Sequence, residues 1–379
     1  MALFLLVCVR GGVAAPDLPG YWVATASEDW CEPNYQYSIY IAEYWNTLSS
    51  LPMVVLSLFS LYAGLRQGHS RSLLVGSALT ALVGLGSIWF HGTLHYGGQA
   101  LDELCMVLAA TLYLYAGLEC DPRGVRNPLL APLLTAWSAA FVTAYVLLKD
   151  TSYFLFFVFV FILLSLRCCY GAYLLHQRTA NKTLRVLYFA GQGLWAAGFI
   201  LFWFPDKMLV GLWCQCRPSP LPPAMPHAAS HTALSPRNNT PFPPPPIIIS
   251  NRFCPHVQAF NLHAIFHLMS AVAVFWFHTH NVHCYYVASY ALKTGGLVPA
   301  EEGGGTTPAP PALMEFLELS VAPEPTAGKP PERTSKKSTA QRGQAAPPAH
   351  HDSLRRPTLS YLGGVVGPFC ELVEERKVA

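Results

Sequence analysis

The chain has 379 residues and a formal net charge of +3, with 52% of residues hydrophobic and 12% charged, about half the charged share of an ordinary soluble domain. Mean hydropathy is +0.32. This balance excludes a wholly water-facing surface and a basic nucleic-acid footprint, and it predicts a polytopic protein of the membrane bilayer. The 11 cysteines contain no CxxC pair, which excludes the disulfide framework of a small secreted domain.

The apolar run Ala2 to Val9 is too short to span a bilayer. It lacks a basic lead-in, and Pro16 follows Ala14-Ala15, so it reads as an extension whose role as a leader stays open. Next comes Asp29-Trp30-Cys31-Glu32-Pro33-Asn34, with Glu43 further on. Closely spaced oxygen ligands, backbone carbonyls and a more distant carboxylate have the chemistry of a hard-cation site of the Ca2+ type, though not the spacing of an EF-hand. Solvated acidic residues ahead of a span would look the same.

Seven apolar segments follow, at 41–64, 72–94, 98–119, 128–148, 152–175, 183–204 and 258–280. Each is about long enough to cross roughly 30 Å of hydrocarbon. Arg66 and Arg71, Arg123 and Arg126, and Arg178, Lys182 and Arg185 fall in alternate loops, whereas the 2–3 loop carries no basic residue and the 4–5 loop only Lys149. The positive-inside rule then makes the N-terminus lumenal and the C-terminus cytosolic. The predicted organisation is a lumenal N-terminal segment (1–40), a transmembrane domain (41–293) interrupted by a Pro-rich lumenal loop (207–257), and a disordered cytosolic tail (294–379). The tail ends in a weakly apolar stretch, Tyr361 to Leu372, broken by Gly363-Gly364 and Pro368.

Ionisable groups in transmembrane helices are costly and mark function. Segment two ends on Ser87 and His91, four residues apart and so on one face. Segment three opens on Gln99, Asp102 and Glu103. Segment seven brings His263 and His267, again on one face. In an alternating bundle all of these groups enter from the lumenal side. Three imidazoles are the ligand set of one type of catalytic zinc site, in which a fourth position holds water and lowers its pKa toward about 7. Asp102 would move the proton and Ser87 would donate to an oxyanion. The fold class is therefore an all-α membrane protein, a seven-transmembrane helix bundle with an intramembrane zinc site. The bland alternative is three separate interhelical hydrogen-bonding histidines. His278, His280 and His283 belong to the opposite, cytosolic end.

Five motifs in this order resemble the alkaline ceramidases: Asp29-Trp30-Cys31-Glu32-x-Asn34-Tyr35, Ile41-Ala42-Glu43-Tyr44-Trp45-Asn46-Thr47, Gly86-Ser87-x-x-Phe90-His91-x-Thr93-Leu94, Gln99-x-Leu101-Asp102-Glu103 and His263-x-x-x-His267. The lead-in Gly20-Tyr21-Trp22 is similar to the alkaline phytoceramidase branch. The resemblance covers roughly residues 20–293 outside the insertion. It implies hydrolysis of ceramide to sphingosine and a fatty acid in endoplasmic-reticulum or Golgi membranes. It implies Zn2+ on His91, His263 and His267, with catalytic Ser87 and Asp102. It further implies Ca2+ on Asp29, Trp30 (through its carbonyl), Glu32, Asn34 and Glu43.

The sequence departs from that family in joining segments six and seven through about 50 residues of proline-rich chain. The resemblance implies a disulfide between the N-terminal cysteine and one soon after the Phe-Trp of segment six. Here Val210 stands near that place, and Cys214, Cys216 and Cys254 are displaced candidates for bonding Cys31. The competing readings are an inactive variant, a non-catalytic seven-span lipid receptor of the adiponectin-receptor type and, ranked last, a zinc or proton transporter.

Overall fold

The computed structural model describes residues 18–119, 128–148, 153–176, 182–206, 261–299, 306–316, 355–361 and 368–374. The insertion 207–257, with Val210, Cys214, Cys216 and Cys254, lies outside these residues, as does the N-terminal run. The helices are α1 (Tyr44–Ser49), α2 (Leu51–Gln67), α3 (Arg71–Thr93), α4 (Tyr96–Glu119), α5 (Leu130–Leu147), α6 (Tyr153–His176), α7 (Lys182–Gly198) and α8 (Leu262–Thr294). α7 continues as one turn of π-helix, Phe199–Trp203.

Six helical stretches are long and apolar enough to cross a membrane: Tyr44–Gln67, Arg71–Thr93, Leu130–Leu147, Phe156–Tyr173, Lys182–Asp206 and Leu262–Thr294. Seven were expected. The segment outside this set is the expected span 98–119, which is helical as α4 but opens on Gly97, Gly98 and Gln99 and then on Asp102 and Glu103. Polar first turns of this kind shorten the apolar run.

α1 and α2 are nearly continuous. Pro52 sits in the first turn of α2, where its missing N–H is tolerated, yet a ring at that position prevents an unbroken ladder across the junction. The Ser50 N–H turns back to the carbonyl of Thr47 at 3.4 Å. The resulting break falls at Ser50.

The chain divides into two compact units. The first draws on Met1–Tyr113, Leu133–Leu166 and Ala190–Phe275. Its core gathers Trp30, Phe90, Phe141, Tyr145, Phe157, Trp203 and Phe266. Aromatic stacking runs along the end of α7, from Trp195 to Phe199 (centroids 5.6 Å apart) and from Phe199 to Trp203 (4.7 Å). The wider π-turn places Phe199 and Trp203 one above the other.

The second unit draws on Leu114–Pro132, Arg167–Phe189 and Trp276–Ala379. Within the tail expected to be disordered, the described residues form short elements. Leu297–Pro299 (β1) pairs antiparallel with Thr306–Pro308 (β2), Pro311–Phe316 forms α9, and Arg355–Tyr361 (β3) pairs with Pro368–Glu374 (β4). The physical reason is local. Gly295 and Gly296 take positive φ (70° and 100°), and the Gly296 N–H closes on the Ala291 carbonyl at 2.8 Å. This ends α8 and turns the chain back. Val298, Ala309 and Leu313 then pack on Val287, Ala288 and Ala291 of α8. Average composition concealed these few apolar residues.

Candidate metal and active site

A helix leaves its last four carbonyls without intrahelical partners. At the end of α3, the N-terminal segment supplies the donors. Glu43 N–H bonds the His91 carbonyl, Ala42 N–H that of Gly92, and Thr25 and Ala26 N–H both reach Leu94, each at 2.9 Å. This zipper brings Glu43 beside His91, and both are fully buried. The Glu43 Oε1 accepts the Trp30 N–H at 2.9 Å. Its Oε2 accepts the Asn46 amide at 3.0 Å and pairs with Nδ1 of His91. The resemblance implies a calcium role for Glu43; in the structure its carboxylate is the one that orients His91.

The first turns of α8 supply His263 and His267. The ligand nitrogens of His91, His263 and His267 lie within 4.8 Å of one another, the one such grouping of His, Cys, Asp or Glu among the described residues. Nδ1 of His267 meets Ser49 Oγ at 2.9 Å, Ser50 Oγ at 3.2 Å and the Asn46 carbonyl at 3.2 Å. With Nδ1 engaged in His91 and His267, Nε2 is the nitrogen each presents to an ion. The outer partner thus selects the tautomer. His263 is held differently, with its ring stacked on Trp30 at 3.5 Å and 16°. Trp30 in turn meets Trp203 of the π-turn at 5.8 Å.

Ser87 and Asp102 come together because α3 and α4 touch backbone to backbone. A Cβ on Gly86 would lie 2.4 Å from the Asp102 nitrogen, and one on Gly98 would lie 2.5 Å from the Phe90 nitrogen. Only glycine allows that approach. The Ser87 hydroxyl lies beside the Asp102 carboxyl and 2.9 Å from Ser50 Oγ. Next to Asp102, Glu103 accepts the Tyr145 hydroxyl at 2.8 Å and the Gln99 amide at 3.0 Å. Gln99 also accepts the Ser27 N–H at 2.9 Å. This network ties the first turns of α4 to α5 and to the N-terminal segment.

The residues expected to bind calcium are gathered in the N-terminal segment, where their carboxylates also have protein donors. Glu32 accepts the Trp45 N–H at 2.6 Å and the Asn46 N–H at 2.9 Å, and so caps α1. The Asn34 amide faces both oxygens of Asp29 at 3.3 Å. Burial first, then the neighbouring Glu43 charge, pushes the Glu32 carboxyl up to about 8, against the opposing pull of its two backbone donors. Cys31 is disulfide-bonded, with its sulfur 3.6 Å from the Asp206 carbonyl. Its partner lies outside the described residues.

Sequence reasoning missed the Glu43–His91 pair, Ser49, Ser50 and the π-turn. A signal for the first three was present: Glu43, Asn46, Thr47, Ser49 and Ser50 are polar residues crowded into the opening of an apolar helix. Nothing in the sequence marked the π-turn.

The profile of one protein family, described as Ceramidase, matches residues 23–230. That stretch takes in Glu32, Glu43, Ser87, His91 and Asp102 and stops before His263. Alkaline ceramidase 3 of Mus musculus is 36% identical over 138 residues, which is 36% of this chain and 52% of that protein. The alkaline ceramidase YPC1 of Saccharomyces cerevisiae is 31% identical over 220 residues, covering 54% of this chain and 69% of its own length. Alkaline ceramidase 1 of Homo sapiens is 28% identical over 218 residues, covering 52% and 75%. The chain thus spans about half the length of the mouse relative.

Proposed function

The chain belongs to the ceramidase family, and from that membership and the site's geometry we propose that it hydrolyses the amide bond of ceramide in the membrane, giving sphingosine and a free fatty acid. The observation that carries this reading is the convergence of His91, His263 and His267 beside the Ser87–Asp102 pair. The donor set fits zinc: three imidazoles, two of them with Nδ1 fixed by a carboxylate or by hydroxyl and carbonyl oxygens. When bound, the ion supplies Lewis acidity and lowers the pKa of water at its open position toward about 7.

The chain's own groups do the rest. Asp102 takes the proton of the attacking water as oxygen bonds to the acyl carbon. It returns that proton to the nitrogen as the C–N bond breaks, so the leaving amine departs neutral. Ser87 donates to the oxygen on which charge develops. Glu43 keeps His91 in the tautomer that presents Nε2. The surrounding scaffold is proposed as a seven-span bundle of endoplasmic-reticulum or Golgi membranes, with α4 as the additional span, the N-terminus lumenal and the C-terminus cytosolic. Calcium on Asp29, the Trp30 carbonyl, Glu32, Asn34 and Glu43 is the proposed modulator. It is supported by the buried Glu32 carboxyl beside Glu43, which a cation would neutralise, and by the contact of Trp30 with His263.

The test is ceramide hydrolysis by the purified full chain in detergent, with zinc quantified in the same sample. The expected result is zinc near one per chain, with hydrolysis and zinc both lost in His263→Ala. Zinc without turnover would sink the hydrolase reading. Turnover that emerges only after deletion of residues 211–250 would make this chain an inactive form of a family enzyme.

A further inference from the structure

We infer that Asn46 is a positioning residue for the metal site, a single outer partner that sets the tautomer of two of the three histidines, His91 through its side chain and His267 through its main chain. The inference rests on the zinc reading above.

Asn46 lies in the six-residue helix α1 and is 1% exposed. Asparagine favours neither a helix interior nor burial, so its hydrogen bonds must account for the place. Its side-chain amide donates to Oε2 of Glu43 at 3.0 Å. That same oxygen pairs with Nδ1 of His91. Its main-chain N–H donates to Oε2 of Glu32 at 2.9 Å. Its main-chain carbonyl lies 3.0 Å from Ser49 Oγ, 2.8 Å from Ser50 Oγ and 3.2 Å from Nδ1 of His267.

A carbonyl oxygen can only accept, and a hydroxyl has one proton to give. Ser49 and Ser50 therefore both give their protons to the Asn46 carbonyl. The groups that meet Nδ1 of His267 are those two hydroxyl oxygens, at 2.9 Å and 3.2 Å, and the carbonyl itself. None of them has a proton left to offer the ring. Nδ1 carries the proton, and Nε2 keeps the lone pair that a metal needs.

On the other arm, charge sets the direction. The Glu43 carboxylate accepts, so Nδ1 of His91 also carries its proton and Nε2 is again the ligand. The Asn46 amide steadies that carboxylate, because exchanging its nitrogen and oxygen would set two acceptors face to face. The Asn46 Oδ1 is buried with no hydrogen-bond partner among the described residues, so the nitrogen alone accounts for the side chain's orientation. His91 and His267 stand on different helices, α3 and α8, with ring centroids 4.9 Å apart. One residue held against both from outside keeps their Nε2 atoms directed at one point.

The test measures zinc affinity of the full-length chain in detergent, by competition with a chelator of known affinity. The variants are Asn46→Ala, Glu43→Gln, Ser49→Ala and the two doubles that contain Asn46→Ala. Asn46→Ala removes the amide alone and is expected to weaken zinc binding about 10- to 100-fold, the range typical of outer-shell partners. Because the amide works through Glu43, the loss in the Asn46→Ala/Glu43→Gln double should fall well short of the product of the two single losses. Ser49→Ala touches only the His267 arm, so its loss should multiply with that of Asn46→Ala.

Parental zinc affinity in Asn46→Ala would overturn the proposal, and so would losses that multiply in the double with Glu43→Gln. An equal shortfall in both doubles would overturn it too, since Asn46 would then only be holding the fold together. Should the alanine variant fail to fold, Asn46→Asp decides, with nearly the same volume but an acceptor facing Glu43. It is expected to lose zinc at least as strongly, and affinity equal to the parent's would overturn the role. Failure of the underlying reading looks different: the parent itself would not hold zinc near one per chain.

Discussion

Helix α8 carries histidines in two places, and what meets them differs. His263 and His267 lie in the first unit, where Trp30, Ser49, Ser50 and the Asn46 carbonyl arrive from other parts of the chain and His91 completes a cluster. Farther along the helix, His278, His280 and His283 lie in the second unit and are as deeply buried. There His280 meets the Tyr188 ring at 5.4 Å and Cys284 Sγ at 3.6 Å. None of the three joins a metal-competent grouping among the described residues. Burial does not separate the two places. The difference is that in the first, hydroxyl, carbonyl and carboxylate oxygens dictate which ring nitrogen faces inward.

Four substitutions would break or sharpen that contrast. The largest effect is expected from Asp102→Asn, which keeps the volume and removes the proton acceptor: kcat should fall about 10²- to 10⁴-fold with zinc retained, as read by turnover and metal analysis on one preparation. Gly86→Ala should cost about 10²-fold, because its methyl would lie 2.4 Å from the Asp102 nitrogen and push α4 off register with Ser87. Normal turnover in that variant would mean that the close approach of α3 and α4 does not position the pair. Glu43→Gln should weaken zinc retention or activity about 10- to 100-fold, measured by competition with a chelator of known affinity. His280→Ala is the smallest: zinc content and ceramide turnover should stay within about twofold of the parent. A clear loss of zinc there would erase the distinction between the two histidine groups.

How much of this was legible in the sequence varies with the range of the interaction. His263 and His267 are four residues apart, and helical periodicity alone puts them on one face. Ser87 with His91 is the same case. Their meeting with Asp102 followed from counting spans. The pairing of Glu43 with His91 was not legible, because it depends on the end of α3 borrowing N–H donors from residues 42 and 43. That is a tertiary event with no periodic signature. Likewise, the sequence counts 98–119 as a span, whereas the polar opening turns that carry Asp102 and Glu103 leave α4 outside the helices long and apolar enough to cross a membrane, and three or four apolar residues after Gly296 were too few to reveal the turn and strands described beyond α8.

The interruption at Ser50 has a final consequence for how this protein can vary. The Asn46 carbonyl serves as an acceptor for Ser49, Ser50 and His267, and it belongs to the main chain. No codon change at position 46 can delete it, so a substitution scan would score that contribution as tolerant. What governs this oxygen is the junction that leaves it outside a regular ladder, with Pro52 in the next turn. Heritable change in this corner of the site is therefore expected to act through residue 52.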